Sequence, residues 1–308
     1  MRFSIYQDSR VGGRAVNQDR MGYTFTKEAL LLVVCDGMGG HVAGELAAQM
    51  ALQVIHERFV AEAKPILSNP AVFLEEAIYA AHDAILDLAI SRRMPESPRT
   101  TVVACVIQQS KAFWAHVGDS RLYLYRKGIL LKKTRDHSQL ELMHAKGLPI
   151  ENEGNNHPDR NTLYNCLGSP YQPLVEQGDP ALLEPKDCLL LCSDGLWSNV
   201  SETSIGLVLT RCNAMEGVPK LIQYALAEGG PKCDNVTALG MNWLGESPAQ
   251  TGQVLQTGEH STFDMAQGRY ESTLHINEVA TQSNFQIEQE IDAAINAIHE
   301  AIRKTHSQ

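Results

Sequence analysis

The stretch AFWAHVGDSRLYLYRKGILL, residues 112–131, decides the fold class of this chain. Short segments rich in aromatic and branched residues are separated there by two turn sequences, Gly118-Asp119-Ser120 and Lys127-Gly128. Strands joined by such tight turns pair antiparallel. The strands predicted from this stretch are Ala112–Val117, Leu122–Tyr125 and Ile129–Leu131.

Outward from this stretch, apolar residues recur at helical spacing in four segments and form short continuous runs in four others. The predicted helices come in pairs, Glu45–Val60 with Val72–Ile90 and Val200–Thr210 with Val218–Ala227. The further predicted strands are Leu30–Cys35, Thr101–Ile107, Cys188–Cys192 and Val236–Met241. Paired helices beside hairpin-connected strands favour an α+β fold, with antiparallel sheet covered by helices, over a parallel doubly wound fold.

Composition excludes several classes of protein. The chain has 308 residues, of which 44% are hydrophobic, a proportion typical of folded proteins. The formal net charge of −10 argues against a general nucleic-acid binder and against docking on an anionic membrane. No apolar run is long enough to span a bilayer, and the first residues lack the apolar stretch of a signal peptide. Seven cysteines without a CxxC pair favour buried reduced thiols, so we expect a cytoplasmic protein.

The C-terminal part of the chain differs from the rest. From Gly245 onward there are nine acidic and three basic side chains, so this part holds six of the ten excess negative charges. Ser247–Ser261 is rich in Gln, Thr, Gly and Ser, which indicates a linker or loop. Apolar residues at helical spacing from Ile287 to Ile302 predict an amphipathic helix, which either docks on the same chain or contacts a partner or a second copy. We therefore predict a boundary between residues 1–243 and 244–308.

Three aspartates share one setting in the predicted secondary structure. Asp36 and Asp194 each follow a predicted buried strand, and Asp234 stands two residues before another. Three carboxylates at neighbouring strand ends repel one another unless cations lie between them, and an all-oxygen cluster suits Mg²⁺ or Mn²⁺. The alternative is that Asp-Gly and Asp-Asn mark ordinary turns. Three such pairs at matching positions favour metal binding.

The same segments resemble the metal-dependent Ser/Thr protein phosphatases of the type 2C (PPM) family in their bacterial form. Eight motifs occur in family order, over residues 1–243 and not in the C-terminal part. The most distinctive is Asp36-Gly37-Met38-Gly39-Gly40-His41, followed by Gly44-Glu45. The others are Arg14-Ala15-Val16-Asn17-Gln18-Asp19, Arg99-Thr100-Thr101, Val117-Gly118-Asp119-Ser120-Arg121, Thr134-Arg135-Asp136-His137-Ser138, Leu167-Gly168, Cys192-Ser193-Asp194-Gly195-Leu196-Trp197 and Asp234-Asn235-Val236-Thr237.

The resemblance implies a PPM-type catalytic domain over residues 1–243, a central antiparallel β-sandwich flanked by helices in a four-layer α/β/β/α arrangement. It also implies a site for two Mn²⁺ or Mg²⁺ ions, with a third in many bacterial members. By position, Asp36 would bridge both ions, the Gly37 carbonyl would bind one, and Asp194 and Asp234 would bind the other. Asp119 would hold the third ion together with Asp194, and Asp19 is assigned to the metal site or its immediate surroundings.

The resemblance assigns two residues to the substrate. Arg14 would bind the phosphate, because a guanidinium fork fits two phosphate oxygens. His41 is the candidate general acid for the leaving alkoxide. Two alternatives remain: Arg14 pairs with an acid and is structural, or His41 orders water at the metal site.

The sequence also departs from the family pattern. Gln18 stands where many members carry Glu, which weakens the expected metal affinity of that part of the site. Arg99 replaces the usual Gly before Thr100-Thr101, and we have no account of it. Gln139–Asn165 resembles the flap that lies beside the site in bacterial members.

The implied activity is hydrolysis of phosphoserine and phosphothreonine in proteins by a metal-activated water. The implied partners are phosphorylated proteins and a cognate Ser/Thr kinase in a bacterial signalling pathway. One alternative is a catalytically inactive phosphoprotein-binding module, which would be expected to have lost Arg14 or a ligand aspartate, and none is lost. The other alternative is a hydrolase of small phosphate esters, which the same site chemistry permits.

Overall fold

The computed structural model describes residues 1–38, 43–147, 162–246, 255–257, 260–264 and 271–274. The chain divides into two compact units, Met1–His275 and Ile276–Gln308, and all described residues belong to the first. The predicted helix from Ile287 to Ile302 lies outside the described residues, as does much of the predicted flap.

Two antiparallel sheets form the centre of the first unit. With strands numbered in chain order, the first sheet consists in spatial order of β14 (Leu255–Thr257), β15 (His260–Asp264), β1 (Arg2–Arg10), β13 (Val236–Gly245), β12 (Cys188–Cys192), β8 (Arg121–Arg126) and β9 (Ile129–Lys133). The second sheet consists of β10 (Glu176–Gln177), β7 (Lys111–Val117), β6 (Val102–Gln108), β3 (Ala29–Cys35), β2 (Arg20–Phe25) and β16 (Glu271–Leu274), and β11 (Ala181–Leu182) also pairs with β7. A separate short pair joins β4 (Gly37–Met38) to β5 (Arg99–Thr100).

Helices cover the outer faces of both sheets. The described helices are α1 (Ala43–Glu62), α2 (Pro70–Ser91), α3 (Gln139–Ala145), α4 (Asp194–Trp197), α5 (Glu202–Arg211) and α6 (Ala214–Gly229), with a 3-10 turn at Gly230–Lys232, and α3 has no buried residue. Helix α1 contacts β2 and β3, while α2 contacts β6 and β7. Helix α6 packs on β1 and β13 of the first sheet. The predicted four-layer α/β/β/α architecture is therefore confirmed.

The continuous apolar strands are explained by burial on both faces. Along β8, Leu122 and Leu124 point into the core between the two sheets, whereas Tyr123 and Tyr125 point into a second core beneath the helices. Because side chains alternate along a strand, a strand with a core on each side has no polar face. The same alternation holds in β12, where every residue is buried.

Local sequence also sets the start of α2 earlier than predicted. The Asn69 side chain accepts hydrogen bonds from the backbone N–H groups of Ala71 and Val72, which have no partner within the helix. Pro70 occupies the first turn, where its missing N–H is harmless. Both features lie before Val72, at which the apolar spacing begins.

The C-terminal part contains strands that the sequence analysis did not predict. The linker interpretation of Ser247–Ser261 is wrong where the structure describes that segment, because Leu255–Thr257 and the beginning of His260–Asp264 are paired strands. Strand β15 pairs with β1, and β16 pairs with β2. Extended backbone gains inter-strand hydrogen bonds whatever its side chains, so a polar composition did not reveal these strands. The division at residue 243 stays a prediction.

The structure bears on two expectations from the sequence, that the cysteines are reduced thiols and that no segment spans a membrane. All seven cysteines lie in the described residues and have free thiols. Among the described residues, no helix combines the length and the apolar character that crossing a membrane requires.

Candidate active site

Five aspartates lie at the ends of five different elements. Asp19 immediately precedes β2, Asp36 follows β3, Asp119 lies in the turn between β7 and β8, Asp194 begins α4, and Asp234 stands two residues before β13. Each position is where a buried strand or its connection reaches the surface of the sandwich. The strand-end placement predicted for Asp36, Asp194 and Asp234 is confirmed, although Asp194 also begins a short helix.

Strand pairing brings these aspartates together. In the second sheet Arg20 lies opposite Cys35, so the next residues outward, Asp19 and Asp36, are neighbours at the same end of the sheet. In the first sheet Cys192 lies opposite Ala238, which places Asp194 and Asp234 beyond the same end of β12 and β13. Two pairs of carboxylates, one from each sheet, thus meet at one end of the sandwich.

Two glycines permit the close backbone approach that this arrangement needs. A Cβ atom on Gly37 would lie 2.2 Å from the carbonyl oxygen of Gly44 at the start of α1. A Cβ atom on Gly195 would lie 2.1 Å from the carbonyl oxygen of Asn235. Only glycine fits at either position, so the residue after Asp36 and the residue after Asp194 are fixed by packing.

The aspartates share one electrostatic field. Burial, followed by the charges of Asp194 and Asp234, raises the pKa of Asp19 to about 7, although hydrogen bonds from Thr237 and Ser193 partly oppose the shift. Burial also raises the pKa of Asp36 well above its usual range, with further contributions from the four other aspartates. The pKa of Asp119 is raised for the same reasons, chiefly burial and Asp194. Concentrated negative charge of this kind favours either protons or bound cations.

Arg14 lies in the same field and contacts one of its members. Its Nη2 atom donates a hydrogen bond of 2.7 Å to Asp234 Oδ2. This bond, together with the charges of Asp234, Asp194 and Asp36, raises the pKa of Arg14. The side chain is 60% exposed, so the guanidinium group is also accessible from solvent. Arg14 therefore pairs with an acid, Asp234, as the alternative of a structural role requires. Its exposed guanidinium group can also bind a ligand.

Of the other residues singled out in the sequence, the structure describes Gly37 and Gln18 but not His41. Gly37 directly follows Asp36 and begins β4, where its backbone lies close to that of Gly44. Gln18 donates its backbone N–H to Asn235 Oδ1 at 2.8 Å, which places it beside the loop that carries Asp234. His41 lies outside the described residues.

Comparison with known families gives a match to the model described as protein phosphatase 2C over residues 7–205. The chain belongs to the protein phosphatase 2C family. Four of the five clustered aspartates lie inside the matched range, and Asp234 lies beyond it.

Relatives and solved structures agree with this assignment to the type 2C phosphatases. The serine/threonine phosphatase stp of Listeria monocytogenes is 32% identical over 228 residues, which cover 72% of this chain and 88% of that protein. The S. agalactiae serine/threonine phosphatase has a TM-score of 0.70 at 30% identity, covering 78% of this chain and 99% of that one. The catalytic domain of PstP in complex with two manganese ions has a TM-score of 0.63 at 28% identity, covering 79% of this chain and 100% of that one. The resemblance to bacterial PPM phosphatases is confirmed.

The Oδ1 atom of Asp19 indicates that the aspartate cluster is suited to bind a hard cation such as Mg²⁺ or Mn²⁺. Asp19 is 3% exposed, and its Oδ2 accepts a hydrogen bond of 2.7 Å from Ser193 Oγ. Its Oδ1 is buried and has no hydrogen-bond partner among the described residues. A buried carboxylate oxygen is rarely left unpaired in proteins, and oxygen is the ligand that Mg²⁺ and Mn²⁺ prefer. The donor set is therefore compatible with the metal ions that the family implies.

Two residues that organise the site were quoted in motifs without being assigned a role. Ser193 connects Asp19 to β13, since it donates to Asp19 and accepts the Thr237 backbone N–H at 3.1 Å. The Asn235 amide group donates to the carbonyl oxygens of Val11, at 2.8 Å, and Val16, at 3.0 Å. Asn235 thus holds the loop that carries Arg14 against the segment that carries Asp234, directly before β13. Their positions directly before Asp194 and after Asp234 were the available signal.

The raised pKa of Asp19 predicts how the stability of the metal-free protein depends on pH. The unfolded chain loses this proton near the usual value of 3.8, whereas the folded chain keeps it up to about 7. The folded state therefore binds more protons in this window, and the stabilisation is lost as the pH rises through it. We expect the melting temperature of wild type in chelator to fall, between pH 5 and pH 8, relative to that of Asp19→Asn.

The comparison with Asp19→Asn separates this effect from that of buried histidines. Burial lowers the pKa of His116 and His137, which makes stability increase with pH and opposes the Asp19 effect. Both histidines remain in the variant, so the difference between the two melting curves cancels their contribution and leaves that of Asp19 and of its interaction with Asp36. Saturating Mg²⁺ should remove the fall. A difference that is constant across this pH range would contradict the assignment.

Proposed function

We propose that this type 2C family member hydrolyses phosphoserine and phosphothreonine in proteins at the cluster of five aspartates. The observation that carries the proposal is the meeting of Asp36, Asp194 and Asp234 with Asp19, whose buried Oδ1 has no partner among the described residues. Relatives named as serine/threonine phosphatases support the class of substrate.

The carboxylates supply the ligands for the metal ions. Asp36 and the Gly37 carbonyl would hold one ion, and Asp36, Asp194 and Asp234 would hold a second. Asp119 and Asp194 would hold a third. When bound, divalent ions neutralise charge on the phosphate and lower the pKa of water. A relative that was solved with two manganese ions supports Mn²⁺ as the first choice and two as the minimum number.

The chain itself contributes orientation and proton transfer. Arg14 is suited to hold two oxygens of the substrate phosphate, because its exposed guanidinium group presents paired donors at the edge of the aspartate cluster. Asn235 keeps the Arg14 loop in place through its two carbonyl contacts. His41, the last residue of the Asp36 motif, is the proposed donor of a proton to the leaving alkoxide.

The proposal extends to the setting in which the enzyme works. Its substrates are phosphorylated proteins, and a Ser/Thr kinase that makes them is its functional counterpart in a signalling pathway. Seven free thiols support a reducing compartment such as the bacterial cytoplasm. The predicted amphipathic helix from Ile287 to Ile302 is retained as a contact for a partner or a second copy.

The experiment that tests the function compares two substrates with the purified full-length chain. Phosphate release from a phosphothreonine peptide is measured with Mn²⁺, with Mg²⁺ and with chelator, beside a small phosphate ester at the same concentrations. We expect metal-dependent release, with a higher kcat/KM for the peptide. Higher kcat/KM for the small ester would favour a small-molecule hydrolase. A chain that binds the phosphopeptide without releasing phosphate would be a binding module.

A further inference from the structure

A pair of buried histidines lies next to the turn that carries Asp119, and the proposed function gives it no role. His116 is 2% exposed and His137 is fully buried, and their ring centroids lie 4.6 Å apart. Glu176 on β10 completes the group, and one ligand atom from each residue lies within 4.8 Å of the other two. Two imidazoles and a carboxylate form a donor set for a transition metal, so the first question is whether this group binds a cation.

The hydrogen bonds of His137 argue against a cation. Its Nδ1 accepts from the Gly118 backbone N–H at 3.2 Å and from the Asn165 Nδ2 at 2.7 Å. The Asn165 amide cannot be reversed, because its Nδ2 also donates to the Leu174 carbonyl and its Oδ1 accepts the Leu174 N–H. Nδ1 is therefore an acceptor, and the proton lies on Nε2, which faces Glu176 Oε2 at 3.4 Å. A cation at Nε2 would require the other tautomer and would set two donors against a protonated Nδ1.

The arrangement of the rings also disfavours coordination. His116 Nε2 donates to the Arg135 carbonyl at 2.7 Å, which leaves its buried Nδ1 as a lone pair without a partner among the described residues. The two rings are stacked, with only 26° between their planes. A metal ion lies in the plane of each imidazole that binds it, and two stacked rings share no such position. The two histidines and Glu176 are therefore not arranged to coordinate a metal ion, and their role must lie in the hydrogen bonds that they make.

What His137 holds is the backbone of Gly118. The His137 N–H donates to the Gly118 carbonyl at 3.0 Å, while the Gly118 N–H donates to the His137 ring. Gly118 has φ +104°, and a Cβ atom there would lie 2.6 Å from the Thr101 side chain. This backbone conformation is thus specific to glycine, and two bonds to a single residue fix it.

The next residue, Asp119, is held from its other side. Its carbonyl oxygen accepts a hydrogen bond of 2.9 Å from Trp197 Nε1. Trp197 belongs to α4, which begins with Asp194, the other aspartate assigned to the third ion. The peptide groups on both sides of the Asp119 Cα therefore have fixed partners, and these partners set the direction of the Cα–Cβ bond from which the carboxylate extends.

We infer that His137 is a positioning residue for Asp119: by binding both backbone groups of Gly118, it holds the Asp119 carboxylate in the orientation that binds a divalent ion. The inference rests on the proposed metal role of Asp119. Residues that orient metal ligands typically change metal affinity by about 10- to 100-fold when replaced. A leucine at position 137 would fill the space while leaving the buried Gly118 N–H unpaired.

The test measures Mn²⁺ binding to the metal-free full-length chain by calorimetry. We expect His137→Leu to weaken, about tenfold, the Mn²⁺ binding event that Asp119→Asn removes. His137→Asn should restore most of this affinity, since the asparagine Oδ1 takes nearly the position of the histidine Nδ1 and can accept the Gly118 N–H. His82→Leu is the matched control, because His82 is also buried and its Nδ1 accepts the Gly168 N–H at 3.1 Å. Gly168 is followed by a serine rather than by a metal ligand, so the control should keep the wild-type isotherm.

Three results would overturn the inference. One is a wild-type isotherm for His137→Leu, and another is equal weakening in His137→Leu and His82→Leu, which would indicate general destabilisation. The third is a protonated Nδ1 of His137 in the ¹⁵N NMR spectrum of the wild-type protein, a measurement that does not depend on any variant folding. Asp119→Asn must abolish the same binding event, and if it does not, the metal role of Asp119 is wrong. Because calorimetry counts bound ions, these outcomes are independent of whether the phosphatase assay succeeds.

Discussion

An Asp36→Asn variant is expected to lose about a thousandfold in kcat/KM on a phosphothreonine peptide and to become more stable without metal. The loss follows because a bound metal ion contributes several kcal/mol to catalysis and Asp36 is the proposed ligand of two ions. The gain follows because burial, followed by the charges of four other aspartates, raises the pKa of Asp36, so its ionised form is destabilised in the folded chain. A neutral amide removes that repulsion, and relief of about 1 kcal/mol would raise the melting temperature by about 3 °C.

Asp187→Asn is the matched control for burying an amide in place of a carboxylate. Asp187 is 1% exposed but lies outside the cluster, and its two oxygens accept hydrogen bonds of 2.8 and 2.7 Å from Arg126. Removing a paired buried charge lowers stability, so this variant should melt at a lower temperature and retain activity. The two variants thus have opposite expected changes: Asp36→Asn gains stability and loses activity, whereas Asp187→Asn loses stability and keeps activity. An active Asp36→Asn enzyme, or one that is destabilised like the control, would show that Asp36 is an ordinary structural aspartate.

Replacing Arg14 with lysine is expected to lower kcat/KM by about a hundredfold, nearly as much as replacing it with alanine. Lysine keeps the charge and can still pair with Asp234, but it cannot present two parallel donors to a phosphate group. Two charge-assisted hydrogen bonds in the transition state account for an effect of this size. Steady-state kinetics on the phosphopeptide, with circular dichroism to verify folding, measures it.

The lysine variant distinguishes the two interpretations of Arg14. If the residue only neutralises Asp234, to which it donates at 2.7 Å, lysine will keep most of the activity and alanine will not. Arg10→Lys provides the control, since Arg10 is an arginine of similar exposure, 59%, that pairs with Asp8 on β1. Its replacement should leave kcat/KM unchanged, so a loss there would indicate a general effect of arginine removal near the N-terminus.

Most of the carboxylate cluster was predictable because four of its five aspartates lie next to a predicted strand or turn. Leu30–Cys35 and Cys188–Cys192 are continuous apolar runs, and a charged residue at the end of such a run has few structural explanations. Pairing of the strands then brings the aspartates together, as the family motifs imply. Asp19 lacks such a run after it, because β2 mixes polar and apolar residues, and only the motif identified it.

Other parts of the site depend on contacts between residues far apart in the chain. Nothing in the sequence places Ser193 against Asp19, which is separated from it by 174 positions. The same holds for the contact of Asn165 with His137, where the ring tautomer is set by an amide that Leu174 orients. Such roles follow from three-dimensional hydrogen bonding, which neither periodicity nor composition contains.

The more polar strands were missed for a different reason. Strand β1 includes charged and polar residues, and its partner β15 belongs to a segment whose polar composition predicted a linker. Backbone hydrogen bonds stabilise both, and these bonds leave little trace in the choice of side chains. Predictions from apolar runs therefore located a contiguous group of strands in each sheet, β13, β12, β8 and β9 in the first and β7, β6 and β3 in the second, and missed the more polar strands beside it.

Strands β15 and β16 occupy the outer sides of β1 and β2, one in each sheet. A chain shortened to residue 243 would leave the N–H and C=O groups of β1 and β2 open to pairing with other molecules. Open edges of this kind are where sheets join into aggregates, and proteins commonly protect them with charge or with a covering segment. The acidic C-terminal segment supplies both charge and covering strands, and it therefore protects the two sheets against edge-to-edge association.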